Sequence, residues 1–286
     1  VVIDAADTTA VGDMTFLTNS YSINLDYDDM NDNEAASFIF DGGNIVSVLL
    51  GRIDTEDGGT HDGGDINLNV SGNTIIDSNL TDRELQLRAD GAVNGGDITI
   101  GEVSNGGSGG QYLGRFSALT NGTGEISLGG DISIDHTGGT GSISISGTTV
   151  LTTSVTLDTN STDSANSGTV TIYQGDIYGS AAGRDLTIDT SVGGGLTAGL
   201  VRLGTLTNST GAYLNNVVVN TNTTGTAGDL VLYGDISLDN AGAGVASFTF
   251  NNANNDGQIF VTASSGSSIT IDTENGGDEA GGAIDL

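Results

Sequence analysis

The feature that most constrains the fold of this chain is an internal repeat of 31 residues. Four segments start 31 residues apart, and each reads apolar, polar or β-branched, apolar, then Asp or Asn. They are Val155-Thr156-Leu157-Asp158, Leu186-Thr187-Ile188-Asp189, Val217-Val218-Val219-Asn220 and Phe248-Thr249-Phe250-Asn251. Alternation with a period of two is typical of a strand with one buried face. A repeat of this length indicates units that bury their apolar faces only by stacking on one another.

Each period contains two further short apolar segments. The second recurs as Val170-Thr171-Ile172 and Val201-Arg202-Leu203, and the third as Gly175-Asp176-Ile177 and Gly234-Asp235-Ile236. Turns rich in Gly and Asn separate them, which is the usual punctuation between strands. The sequence therefore predicts three short strands per coil.

Stacked coils of this kind predict an all-β fold, a right-handed parallel β-helix (β-solenoid) of about eight or nine coils of roughly 31 residues. Leu157, Ile188, Val219 and Phe250 should form one inward column. The fourth positions, Asp or Asn, should stack at a corner, where neighbouring carboxylates repel unless they are screened. The alternative fold is a β-sandwich, which predicts hairpins and irregular spacing instead.

The N-terminal half has the same pattern with looser spacing. Second strands are predicted at Phe38, Ile66, Ile98 and Ile126, and the interval from Ile126 to Val170 is then 44 residues. The surplus predicts an extra hairpin or lateral loop near residues 136–150. We therefore expect one solenoid domain over residues 1–286, with less regular coils in 1–154 and regular coils in 155–286.

The charge of the chain limits its partners. The net charge is −31, with 37 acidic residues and six basic ones, all Arg and without obvious clustering along the sequence. Nucleic acid and anionic lipid both need clustered cations, so neither is expected as a partner. No apolar run approaches the roughly 20 residues that span a bilayer. Cysteine is absent, so stability must come from the repetitive core rather than from disulfides.

An acidic segment near the N-terminus is the best candidate for metal binding. Asp26, Asp28, Asp29 and Asp32 crowd one loop, and hard oxygen ligands at this density suit Ca²⁺. A second acidic group spans residues 54–65. The alternative interpretation of both is a solvated acidic loop.

Signals for catalysis are weak. Residues 106–110 match the G-x-S-x-G pattern of a nucleophilic serine, but the pattern needs a strand before it and a helix after it, and here it lies in a Gly-rich stretch. The two histidines, His61 and His136, form no metal-binding motif. Stacked Asp residues leave open a polysaccharide-active β-helix enzyme. The expectation is that the chain is not an enzyme.

The phrases GGDISID (residues 129–135), GRDLTIDT (183–190) and GDISLDN (234–240) resemble the repeats of filamentous-haemagglutinin-type exoproteins and related giant bacterial surface adhesins. The resemblance covers most of residues 38–286. It implies an extracellular or cell-surface bacterial protein, often a shaft that holds binding modules away from the cell. The secretion cap of that family is not recognisable here.

These observations give three functional hypotheses. The first is an extracellular structural segment of a shaft, filament or surface layer, whose partners are copies of itself or flanking solenoid coils stacked end to end. The second is an adhesin module that binds a glycan or a cell-surface partner through a lateral loop, with the segment near 136–150 as the candidate. The third is the polysaccharide-active enzyme.

Overall fold

The chain forms a β-solenoid of parallel strands. The computed structural model describes residues 2–4, 14–16, 21–25, 36–41, 45–47, 51–55, 62–69, 75–78, 83–104, 112–136, 140–162, 165–181, 183–207, 212–239, 245–252, 256–262, 267–274 and 281–286. Every strand pairing among these residues is parallel, which confirms the predicted fold class; the right-handed winding stays a prediction. The described residues contain no helix long and apolar enough to cross a bilayer.

The strands, in chain order, are β1 (Val2–Asp4), β2 (Met14–Phe16), β3 (Tyr21–Asn24), β4 (Phe38–Asp41), β5 (Ile45–Ser47), β6 (Gly51–Asp54), β7 (Ile66–Asn67), β8 (Ile75–Ser78), β9 (Arg83–Arg88), β10 (Ile98–Ile100), β11 (Glu102–Val103), β12 (Leu113–Leu119), β13 (Glu125–Leu128), β14 (Ile132–Ser133), β15 (Ser142–Ser146), β16 (Thr148–Leu151), β17 (Val155–Asp158), β18 (Thr169–Gly179), β19 (Arg184–Asp189), β20 (Val201–Leu206), β21 (Leu214–Asn220), β22 (Leu230–Leu232), β23 (Ile236–Ser237), β24 (Ser247–Asn251), β25 (Ile259–Val261), β26 (Ile271–Asp272) and β27 (Ile284–Asp285).

The strands form three faces along the solenoid axis. Face A contains β3, β6, β9, β12, β15, the first halves of β18 and β20, β22 and β25. Face B contains β1, β4, β7, β10, β13, β16, the second halves of β18 and β20, β23 and β26. Faces A and B make up one 17-stranded sheet, because β18 and β20 run through both. Face C is a separate ten-stranded sheet of β2, β5, β8, β11, β14, β17, β19, β21, β24 and β27. The coil count thus differs somewhat from the eight or nine predicted.

The regular repeat lies on face C. Val155, Leu186, Val217 and Phe248 pair in register in successive coils, as the period of 31 predicts. Their neighbours Leu157, Ile188 and Val219 are fully buried, and Phe250 is nearly so, which confirms the predicted inward column. Buried and half-buried residues alternate along the strands, and the buried aliphatic side chains of all three faces fill the interior.

The described residues near 136–150 do not form the predicted extra hairpin or lateral loop. Within the described part of that segment, β15 pairs in parallel with β12 and β18 on face A, and β16 pairs with β13 and β18 on face B. Both are therefore strands of an ordinary coil. The 44-residue interval was misleading because Ile126 lies on face B and Val170 lies on face A, so the two residues are not counterparts.

A column of glycines lies at the corner where each coil of the solenoid enters face A. A Cβ placed on Gly168 would lie 1.3 Å from the carbonyl oxygen of Gly141, and one on Gly199 would lie 1.7 Å from that of Gly168. The same contact continues through Gly228 and Gly257, at 1.8 and 2.4 Å from the preceding glycine oxygen. The backbones of successive coils approach too closely here for any side chain, so only glycine fits.

Candidate functional site

The strongest sequence candidate for a metal site lies outside the described residues. Asp26, Asp28, Asp29 and Asp32 all fall in the segment 26–35. The described residues contain no group of three or more His, Cys, Asp or Glu that could hold a metal ion. Calcium binding by these aspartates therefore stays a prediction from the sequence.

The described members of the second acidic group have partners within the protein. The carboxylate of Asp62 accepts the backbone N–H of Asn94 at 3.0 Å, and that of Asp65 accepts the N–H of Asp97 at 2.9 Å. The carboxylate of Asp54 is fully buried and forms ion pairs with two arginines, described below. Residues 56–61, which include His61, lie outside the described residues.

The stacked corner of face C satisfies its carboxylates through the backbone. Asp158 and Asp189 are paired in register, as predicted, and each accepts the N–H two residues ahead, at 2.9 and 2.8 Å. This local turn partly offsets the repulsion between stacked charges. In the next two coils the same position is Asn, and the side-chain amide of Asn251 donates to that of Asn220 at 2.8 Å. The predicted stacking of this position at a corner is confirmed.

Five of the six arginines lie on one face of the solenoid, although they are scattered along the sequence. Arg52 lies in β6, Arg83 and Arg88 in β9, Arg115 in β12 and Arg202 in β20. All of these strands belong to face A. The sixth arginine, Arg184, lies in β19 on face C. Face A therefore carries five of the six cations of a chain whose net charge is −31.

Two of these arginines belong to a chain of ion pairs. Asp54 pairs with Arg52, and with Arg88 at 3.6 Å. Arg88 also donates to both carboxylate oxygens of Asp90, at 3.1 and 2.9 Å. Burying the Asp54 carboxylate is tolerated because cations from two adjacent coils neutralise it. This network joins β6 and β9, two adjacent strands of face A.

An open groove runs along the outer surface of face A. It consists of two adjoining cavities, of about 410 and 390 Å³, that share Ser144 and Tyr173. The groove is lined by Gln86, Arg88, Ser117, Ala118, Leu119, Ser144, Ser146, Thr171, Tyr173, Gln174, Arg202 and Tyr233. Hydroxyls, amides, phenols and guanidinium groups predominate in this lining, and none of these residues has a carboxylate. We call this surface the face A groove.

Register explains the direction of the groove. Gln86, Ser117, Ser144, Thr171 and Arg202 are paired one above another in five successive coils. Adjacent strands lie about 4.8 Å apart, so this row extends roughly 19 Å along the axis. The groove is therefore parallel to the axis and suits a linear polymer better than a compact small molecule.

Gln174 has an unusual backbone conformation at the edge of the groove. Its φ is +70°, the only positive value among the described residues that are not glycine. One coil earlier the chain has Gly147 at the corresponding position, with φ +134°. The side-chain oxygen of Gln174 accepts the Ser146 hydroxyl at 2.8 Å. Residues held in this region are strained and concentrate at functional sites.

A tyrosine on face B has a perturbed acidity. The Tyr178 hydroxyl donates to Glu125 Oε1 at 2.5 Å. Desolvation by burial, together with this hydrogen bond and the negative charge of Glu125, raises the pKa of Tyr178 to about 12. The pair links strands two coils apart and lies on the face next to the groove, so it is a structural contact rather than part of the groove.

Of the serine pattern and the two histidines, only His136 lies among the described residues. Residues 106–110 lie outside the described residues, and His136 is half-buried after β14 on face C. Comparison of the chain with protein-family models, with curated proteins and with solved structures gave no match.

Proposed function

We propose that this chain is an extracellular structural protein, a segment of a β-solenoid shaft, filament or surface layer that stacks end to end. Its partners in this proposal are copies of itself or flanking coils, and it has no catalytic role. The surface location is supported by the resemblance of its Gly-Asp-Ile phrases to exoprotein repeats. Axial stacking is supported by the last coil.

The observation that carries the proposal is an open apolar core at the last coil. Val261 is in register with Leu232, and Ile284 is in register with Phe248. Leu232 is 1% exposed and Phe248 fully buried, whereas Val261 is 58% and Ile284 47% exposed. Positions that are buried one coil earlier are thus half-open here, and no described strand pairs with the outer edges of β25 and β27. Another coil placed on this end would bury both side chains.

Stacking on this end is energetically worthwhile. Burying the exposed part of Val261 and Ile284 contributes about 1 kcal/mol each. Each backbone hydrogen bond added along the three strands contributes about 1 kcal/mol more. Unpaired strand edges are templates for pairing with another chain. The side of the last described coil that faces away from the other coils is therefore a surface for a further coil.

The large negative charge opposes association between copies. A net charge of −31 per chain repels a second copy at low ionic strength, and salt screens that repulsion over about 10 Å at 0.1 M. We therefore expect end-to-end association to increase with salt. The same charge keeps rods from clumping laterally.

Sedimentation velocity and electron microscopy across a salt series test this proposal. The expected result is rods that lengthen with salt, and a Val261→Asp/Ile284→Asp double variant that stays monomeric. The matched control is Val93→Asp, since Val93 is 71% exposed but lies in a turn away from the last coil. Monomers at every salt concentration, or equal association of the double variant, would refute self-stacking. If, in addition, the parent gene encoded no further coils, the hypothesis that this chain is a shaft segment would be refuted as well.

A further inference from the structure

We propose that the face A groove binds a linear acidic polysaccharide of the uronate type, whose carboxylates pair with Arg202 and whose rings stack on Tyr173 and Tyr233. This binding function goes beyond the structural role proposed above and does not depend on it. It also moves the glycan-binding hypothesis from the segment near 136–150, whose described residues from 142 onward form ordinary strands, to the outer surface of face A.

The first argument concerns Arg202. Its side chain is half-buried, and its in-register neighbours Thr171 and Val231 are uncharged. Among the described residues no carboxylate pairs with it, although the chain has 37 acidic residues. Arg202 lines the open groove, where a bound carboxylate would supply this missing counter-ion through a two-point hydrogen bond.

The second argument concerns the composition of the groove. No acidic residue lines the groove itself, although Glu84 accepts the side-chain amide of the lining residue Gln86 at 2.6 Å and Arg88 is paired with Asp54 and Asp90. A carboxylate in the lining would repel an anionic occupant, so its exclusion fits charge complementarity with an anion. Serine and threonine hydroxyls supply the donors and acceptors that sugar hydroxyls require, while the amides of Gln86 and Gln174 already bond to Glu84 and Ser146.

The third argument concerns the tyrosines. Tyr173 and Tyr233 line the same cavity as Arg202 and remain 37% and 44% exposed. An exposed aromatic ring costs free energy in water, and its flat face suits the C–H face of a pyranose ring. Tyrosine also loses little conformational entropy on binding, which is why it is frequent in binding surfaces.

Geometry distinguishes a polysaccharide from nucleic acid. The groove runs along the axis over several coils, as a linear polymer requires, but offers few cations along its length. A nucleic acid carries a phosphate at every nucleotide and would be repelled by the net charge of −31. A polymer with many hydroxyls and spaced carboxylates matches the lining better.

Isothermal titration with oligogalacturonate, and with a neutral galactan of equal length, tests the proposal. Oligogalacturonate should bind with an affinity that falls as salt rises, and the neutral galactan should bind at least tenfold more weakly. Arg202→Gln should weaken oligogalacturonate binding by roughly tenfold or more, since a charged hydrogen bond is lost. Tyr233→Ala should weaken binding of both polymers.

The matched control is Arg184→Gln, which removes the one arginine that lies on face C. It should leave binding unchanged, and circular dichroism should show that all the variants fold. Equal loss in Arg184→Gln and Arg202→Gln would show a general charge effect and overturn the site. No binding of oligogalacturonate, or lateral dimers that Arg202→Gln dissociates, would overturn the polysaccharide as occupant. The salt-dependent end-to-end stacking should be the same in Arg202→Gln, which separates the two proposals.

Discussion

A buried hydroxyl recurs at the corners of the solenoid and differs between two successive coils of face C. Thr190 is fully buried, and its hydroxyl donates to the carbonyl of Gly199, nine residues ahead, at 2.9 Å. The same nine-residue contact joins Thr55 to Gly64 at 2.6 Å. Thr221 occupies the corner of the next coil and is also fully buried, but its hydroxyl has no partner among the described residues.

The reason for the difference is the length of the turn after each threonine. Gly228 stacks on Gly199 in the glycine column, yet it comes only seven residues after Thr221. The shorter turn does not bring a carbonyl to the hydroxyl of Thr221. Thr221 therefore bears the cost of a buried polar group that Thr190 avoids.

Replacing each threonine by valine, which has nearly the same shape, should change stability in opposite directions. Thr190→Val loses a hydrogen bond and leaves a carbonyl less satisfied, which lowers the free energy of unfolding by about 1 to 2 kcal/mol. Thr221→Val removes an unsatisfied hydroxyl and buries a methyl group, which raises it by about 1 kcal/mol. The two variants should thus differ by about 2 to 3 kcal/mol.

Urea denaturation monitored by far-ultraviolet circular dichroism measures this difference. The midpoint should fall for Thr190→Val and rise for Thr221→Val at an unchanged slope, since the slope reports the surface exposed on unfolding. A repeat array can unfold in steps, and a changed slope would indicate such steps. The midpoints are compared as free energies only if the slope is unchanged. If both variants shift the midpoint equally and in the same direction, the partner of the hydroxyl does not determine its contribution, and the reasoning fails.

Three further predictions concern other parts of the solenoid. Gly168→Ala should prevent folding of the adjacent coils, whereas Gly193→Ala should be nearly neutral because a Cβ there meets no atom within 4 Å; expression and circular dichroism compare them. The raised pKa of Tyr178 means that the fold favours the neutral phenol, so this contribution to stability is present below pH 10 and is lost as the pH rises from 10 to about 12. Absorbance titration of tyrosinate should show a component near pH 12 that Tyr178→Phe removes and Glu125→Gln moves downward; an unchanged titration would contradict the contact. Asp54→Asn should lower the free energy of unfolding by about 2 kcal/mol, because it leaves two partly exposed arginines without their shared carboxylate. Thermal melts at low salt check this, and a variant as stable as the parent would show that the network contributes nothing.

The strict repeat made face C predictable. Its strands from Val155 to Phe248 keep a constant spacing, so the period alone gives the pairing, the inward column and the corner stack. The other two faces use the same apolar, polar, apolar pattern, and the turns between them vary in length. Pattern alone therefore does not show that Ile126 lies on face B and Val170 on face A. The mistaken loop near 136–150 came from comparing strands of different faces.

The candidate site was hidden for the same reason. Arg52, Arg88, Arg115 and Arg202 are each separated by tens of residues, and only the pairing of strands places them on one surface. Aligning the sequence by face would have shown the signal, because arginine is nearly confined to face A. The backbone strain at Gln174 has no counterpart in the sequence pattern, since glutamine itself does not favour a positive φ.

The column of glycines at the entry to face A makes the position of each strand independent of the length of the loop that precedes it. The turn from Thr190 to Gly199 and the shorter one from Thr221 to Gly228 both deliver the chain to the same column. The glycine thus works as a fixed docking point, and the turn before it is free to lengthen, shorten or carry a grafted segment. A lineage that duplicates such coils, or an engineer who inserts one, has to preserve the glycine at this corner so that successive coils can approach each other.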